Sequence, residues 1–139
     1  MLSDTGKTAP ELLLDAFTLH DPSLIDAAVA SDFTEHSAPP GMPPGKQALQ
    51  AFVQMFITAL PDFRFDVDLR TEQDGLVMVY GHAEGTLRGP LFGSPPTGRH
   101  GRWPEVHIFR VTGGQVTEHW DVIDQLSMRT QLGLPLSFA

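Results

Sequence analysis

The hydrophobic period changes at Pro61, and that change limits what the chain can become. Before it, Leu49, Phe52, Val53, Phe56, Ile57 and Leu60 fall at spacings of three and four, the apolar stripe of an amphipathic helix. After it, Phe63, Phe65, Val67 and Leu69 alternate with Arg64, Asp66, Asp68 and Arg70, the period of two of a half-buried strand. A helix of this kind must lay its stripe on another apolar surface, and the sheet that begins beside it supplies one.

The flanking segments extend this pattern. Pro10 through Leu19 predicts a first helix, and Asp21-Pro22, an N-cap followed by proline at the first helical position, opens a second short helix through about Val29. Asp32 to His36 is a brief extended piece. It leads into "SAPPGMPPGK", residues 37–46, whose four prolines and two glycines propagate neither helix nor sheet. Asp74-Gly75 is a hairpin signal ahead of a strand from Leu76 to Thr86. After a loop from Gly89 to Gly101, rich in Gly and Pro, residues 102–111 and 115–123 read as two strands around Gly113-Gly114, and Gln125 to Gly133 as a last helix. Helices first and an antiparallel sheet after them predict an α+β fold, in which a strongly curved sheet wraps the long helix and leaves a conical cavity. At 139 residues one domain over 1–139 is expected, with residues 1–9 as a flexible tail and room for one enclosed pocket.

Composition narrows the partners. A net charge of −8 with nine Lys and Arg and no basic cluster offers nothing to a phosphate backbone or an anionic membrane, so neither nucleic acid nor membrane is expected. The absence of cysteine removes disulfides, thiol nucleophiles and thiolate metal sites, and suits a reducing compartment. The first ten residues lack an apolar h-region, and no run approaches the roughly 18 apolar residues of a membrane span. The expected localisation is cytoplasmic.

Four separated stretches, "DFTEHSAPPGMPPGKQAL", "GTLRGPLFGSPPTGR", "EVHIFRVTGGQVTEHWDVID" and "RTQLG", resemble in order and spacing the SnoaL-like polyketide cyclase family of the NTF2-like superfamily. The resemblance spans roughly residues 10–134. It implies an NTF2-like, cystatin-like cone, a homodimer, and a pocket inside the cone. It also implies closure of a ring in a polyketide by intramolecular aldol condensation, without metal or organic cofactor. His107 and Asp121 match polar active-site positions of the cyclases. At Trp120 the sequence departs from the anthracycline cyclases, which tend to be charged there. The superfamily also holds isomerases, epoxide hydrolases, dehydratases and non-catalytic members.

The chemistry concentrates in "TEHWDV". On a strand, Thr117, His119, Asp121 and Ile123 share one face, while Val116, Glu118, Trp120 and Val122 share the other. Two hairpin registers are open. A two-residue Gly113-Gly114 turn pairs Thr112 with Gln115, sets His107 opposite Trp120 and separates it from Asp121. A three-residue loop pairs Val111 with Gln115, sets His107 opposite His119 and puts Asp121 diagonal to His107. The second is favoured because it gathers three titratable groups on one wall. Asp121 is then the candidate base for a carbon acid, its pKa raised by an apolar surround, and His107 or His119 the donor to the developing oxyanion.

Candidate substrate-binding residues around them are His36, Phe52, Phe56, Tyr80, His82, Phe92, Trp103 and Phe109, for an apolar carbonyl-containing small molecule. No metal is expected, since none of the six histidines forms the helical i, i+4 pair of a zincin. Outward apolar Val116, Trp120 and Val122 suggest an interface stripe. Two other readings share the fold: a small-molecule binding module, and an epoxide hydrolase, which needs an Asp-Arg-Asp set.

Overall fold

The computed structural model describes residues 6–136. Its elements run α1 (Ala9–Thr18), α2 (Leu24–Ala28), β1 (Val29–Glu35), α3 (Lys46–Ala59), β2 (Arg64–Gln73), β3 (Leu76–Thr86), β4 (His100–Thr112), β5 (Gln115–Ile123) and α4 (Gln125–Leu132). The five strands form one curved, unclosed sheet in the order β1-β5-β4-β3-β2, so the expected α+β architecture is what the chain adopts. Neighbours are antiparallel except β1, which joins β5 in parallel. Among the described residues no helix is long and apolar enough to cross a membrane. Of the expected N-terminal tail, residues 1–5 lie outside the described ones; Lys7 pairs with Asp15, and Ala9 is already buried at the start of α1.

The period change at Pro61 becomes the packing of helices on sheet. Leu49, Val53, Phe56 and Ile57 are buried on α3, and Leu60 just beyond it is fully so. Two apolar clusters result. One joins α1 and α2 through Leu12, Leu13, Ala16 and Ile25 to Val77, Val79, Phe109 and Val116 on the sheet. The other gathers Phe56, Leu60, Phe63, Leu87, Trp103, Met128 and Leu132 at the opposite end. Burying a side chain of this size stabilises by about 1.5–3 kcal/mol.

Two local expectations differ. Asp21 does not cap α2; its Oδ1 accepts from the backbone N–H of Ser23 at 3.1 Å, and Ser23 is the N-cap. The short Asx turn takes up the acceptor before the helix begins. Nor is β2 half-buried throughout. Phe63 and Phe65 are covered, but Val67 and Leu69 are 48% and 68% exposed. A bulge lies between Val67, paired with Gly81, and Leu69, paired with Tyr80, and it turns the end of this edge strand outward. The two strands meet closely at Gly81, where a Cβ would lie 2.1 Å from the Asp66 carbonyl oxygen, so that position requires glycine.

Candidate active site

The polar wall of the site is the β4–β5 hairpin. Gly113 and Gly114 take φ of 60° and 80°, and Thr112 pairs with Gln115. The favoured three-residue loop is therefore not what forms, because two glycines fill both left-handed positions of the tight primed turn without steric cost. Yet His107 does not face Trp120 either. Val111 pairs with Val116 and Arg110 with Glu118, leaving Thr117 as a bulge. That extra residue advances the register, so His107 faces Asp121 and Phe109 faces His119. The bulge also turns Val116 inward to complete burial, which corrects its expected place in an outward stripe.

Four side chains from three strands then form one hydrogen-bonded chain. Glu105 Oε1 lies 2.7 Å from His107 Nε2. His107 Nδ1 lies 2.9 Å from His119 Nε2, and His119 Nδ1 lies 2.6 Å from Glu35 Oε1. The free oxygens of the glutamates are also held: Trp103 Nε1 donates to Glu105 Oε2 at 2.7 Å, and the Ser37 backbone N–H to Glu35 Oε2 at 3.1 Å. Glu35, Glu105 and His119 are all buried. Three hydrogen bonds need three protons; two neutral imidazoles bring two and two carboxylates none. The chain therefore carries one proton beyond neutral histidine and ionised glutamate.

Asp121 stands across the hairpin from His107. Its backbone N–H donates to Ser37 Oγ at 2.9 Å, and Ser37 Oγ donates to its carbonyl oxygen at 3.2 Å, fixing its main chain to the end of β1. Among the described residues nothing donates to its carboxylate. Burial pushes the Asp121 carboxyl up to about 6, against the pull of His119 and His107 and with the push of Glu35 and Glu105. His107 shows the opposite balance. Burial lowers its pKa, but the hydrogen bond and charge of Glu105, with Asp121 and Glu35 beyond, outweigh it and leave it raised.

This wall closes one side of a cavity of about 590 Å³. Phe17, Phe52, Phe56, Phe63, Phe65, Phe92 and Phe109 supply the apolar remainder, with Pro39, Pro40 and Met42 from the proline segment and Gln125, Met128 and Arg129 from α4. The Arg129 guanidinium lies over the Phe92 ring at 5.7 Å, and Phe92 holds a φ of 50°. A broader surface groove of about 1040 Å³ runs outside the proline segment and α3, but Lys46 is the sole charged side chain lining it. It holds no acid–base pair; the titratable cluster lines the smaller cavity.

Of the expected residues, Asp121, His107, His119, Phe52, Phe56, Phe92 and Phe109 line that cavity. Four do not. His36 pairs outside with Glu118 at 3.0 Å and stacks on Trp120. Tyr80 and His82 sit on the convex face because Val77, Val79, Gly81 and Ala83 occupy the concave one, and His82 pairs with Asp68 at 2.6 Å. Trp103 points inward but is fully buried in the second cluster. Glu35, Glu105 and Ser37 escaped the sequence reading. Strand alternation already set Glu105 on the face of His107, so its signal was present, whereas no local pattern joins Glu35 to His119.

His107, His119 and Asp121 offer ligand atoms that all lie within 4.8 Å of one another, the one such group among the described residues. Helical spacing does not reveal it, because the atoms converge across two strands. The Asp-Arg-Asp set of an epoxide hydrolase does not occur among the lining residues, which include one aspartate, Asp121, and one arginine, Arg129.

A family model described as SnoaL-like polyketide cyclase matches residues 7–132. No curated protein matches the chain. Among solved structures, TsrD from Streptomyces laurentii superposes with a TM-score of 0.82 at 23% identity, over 91% of this chain and 93% of that one. AclR from Streptomyces galilaeus, described as a candidate hydroxylase, gives 0.78 at 25% identity over 91% and 95%. IdmH from Streptomyces antibioticus, described as a candidate polyketide cyclase, gives 0.75 at 27% identity over 91% and 96%.

Proposed function

Because the chain belongs to the SnoaL-like polyketide cyclase family, we propose that it closes a ring of a polyketide-like carbonyl substrate by intramolecular aldol condensation, without a cofactor. The observation that carries this reading is a carboxylate without a hydrogen-bond donor among the described residues, set against two imidazoles at the polar end of an otherwise aromatic cavity. Asp121 takes a proton from a carbon between two carbonyl groups, and the C–H electron pair becomes an enolate. The enolate carbon attacks a further carbonyl of the same molecule, forming the C–C bond and leaving an alkoxide. The extra proton of the Glu105–His107–His119–Glu35 chain moves to that alkoxide, and the proton on Asp121 passes across to His107 to restore the chain. Preorganised donors of this kind contribute about 2.7–4 kcal/mol each to the barrier reduction. His107 and His119 hold the proton; Glu105 and Glu35 position the rings.

The proposal includes a cytoplasmic homodimer. On the convex face Leu69, Tyr80, Val106 and Val122 form one cross-strand row, with Met78, Ile108 and Trp120 in the next. Leu69 and Val122 are 68% and 69% exposed, so the patch invites a second copy. Val122→Glu should convert a dimer to a monomer in sedimentation; a monomeric native protein would remove this part.

The test of the chemistry is deuterium exchange at the acidic carbon of β-keto esters and polycyclic carbonyl compounds, for the native protein and Asp121→Asn. Exchange that requires Asp121 supports the reading. Ligands that bind without any exchange would replace it with a non-catalytic binding module.

A further inference from the structure

The two inner nitrogens of the chain, His107 Nδ1 and His119 Nε2, face each other at 2.9 Å. Each ring has its other nitrogen committed to a glutamate that is at least nine-tenths buried, at 2.7 and 2.6 Å. With the outer nitrogens donating, the inner ones are lone pairs, and two lone pairs at this distance need a cation between them. The local charge points the same way. Glu35, Glu105 and Asp121 all line this wall, and the one lysine or arginine lining the cavity is Arg129 on α4.

We propose that this pair binds one divalent transition-metal ion of the Zn²⁺ or Co²⁺ class in place of the shared proton. His107 Nδ1, His119 Nε2 and an Asp121 carboxylate oxygen are the ligands, and the remaining positions open to the cavity. The three ligand atoms already lie within 4.8 Å of one another. Two nitrogens 2.9 Å apart, each about 2.1 Å from one ion, subtend about 90° there, the angle of adjacent positions in an open, five- or six-coordinate site. Each imidazole also has a buried carboxylate behind it, the outer partner that fixes the tautomer of a ligating histidine and raises its basicity. Two imidazoles and one carboxylate select ions of this class over Mg²⁺ and Ca²⁺, which prefer oxygen. The exposed pairs His82–Asp68 and His100–Glu84 have no second imidazole and serve as internal controls. The inference does not rest on the cyclase reading: the ion occupies the atoms of the proposed base and proton store, so it competes with that chemistry rather than performing it.

The experiment is a Co²⁺ titration of the full chain after chelator treatment, followed by visible ligand-field absorption and calorimetry. One ion per chain is expected, with an absorption band of a low-symmetry nitrogen–oxygen site. The band should vanish in His119→Ala and remain in His82→Ala and His100→Ala. In Glu35→Gln, which keeps all three ligands and guards against misfolding of the alanine variant, the ion should bind about 10–100-fold more weakly. No band with the native protein, or binding that survives in His119→Ala and is lost in His82→Ala, would overturn the proposal. Carbon-acid exchange by metal-stripped protein is read separately, so either inference can fail alone.

Discussion

Five of the six histidines pair with a carboxylate, three on the convex face of the sheet and two in the cavity, and the two sets behave in opposite ways. Outside, the His100 hydrogen bond holds Glu84 below its ordinary range, assisted by Arg64 and Arg102, and His36 with Arg110 does the same to Glu118. Water screens these pairs, so they contribute little to stability. Inside, the side chains of His107 and His119 are 13% and 9% exposed, and Asp121 beside them is pushed up rather than down. The same two side-chain types make a solvated surface on one face and a buried hydrogen-bonded chain on the other. Exclusion of water makes the difference.

The strongest way to break this comparison is Asp121→Asn, which should cut carbon-acid exchange on the order of 10²–10⁴-fold while leaving the circular dichroism unchanged. Glu105→Gln and Glu35→Gln come next, at roughly 10²-fold. They act on coupled rings, so the double variant should lose less than the sum of the two. A purely structural role for the glutamates would lower the denaturation midpoint and leave the pH profile of the remaining activity in place.

The pH dependence follows from the raised Asp121 value. The base must be ionised, so the exchange rate should rise with pH through about 6. Stability runs the other way. The folded carboxyl keeps its proton up to about 6 and the unfolded one releases it near 3.8, so the folded state binds more protons between those values. Its contribution is intact below 3.8 and is lost as pH rises through about 6. Asp121→Asn should therefore be more stable than the native chain at pH about 8, on the order of 3 kcal/mol, and show no such gain at pH about 4. Denaturant titrations at the two pH values decide it. The smallest effect belongs to the outer face: His82→Ala should change stability by under about 0.5 kcal/mol, and less in high salt.

Elements that depend on neighbouring residues were legible in the sequence. The α3 stripe, the Asp74-Gly75 hairpin and the outward position of Trp120 all follow from period and turn chemistry. The shared wall of His107, His119 and Asp121 was legible too, but for the wrong register, because a bulge at Thr117 leaves no mark in the hydrophobic pattern. Glu35 was hidden for a different reason. It reaches His119 through parallel pairing of strands 84 positions apart, and no local rule carries that distance. Strand alternation puts Tyr80 and His82 on one face of β3, but it does not say which face looks into the cavity.

That long-range pairing also bears on synthesis. β1 is made well before its partner β5, so the apolar faces of α1 and α3 leave the ribosome well before the central strands that cover them. Contacts this distant in sequence form slowly and expose the growing chain to aggregation. The two halves of the polar chain meet only when both ends of the fold do, so a chain cut short before residue 115 has neither a closed cavity nor a proton to share.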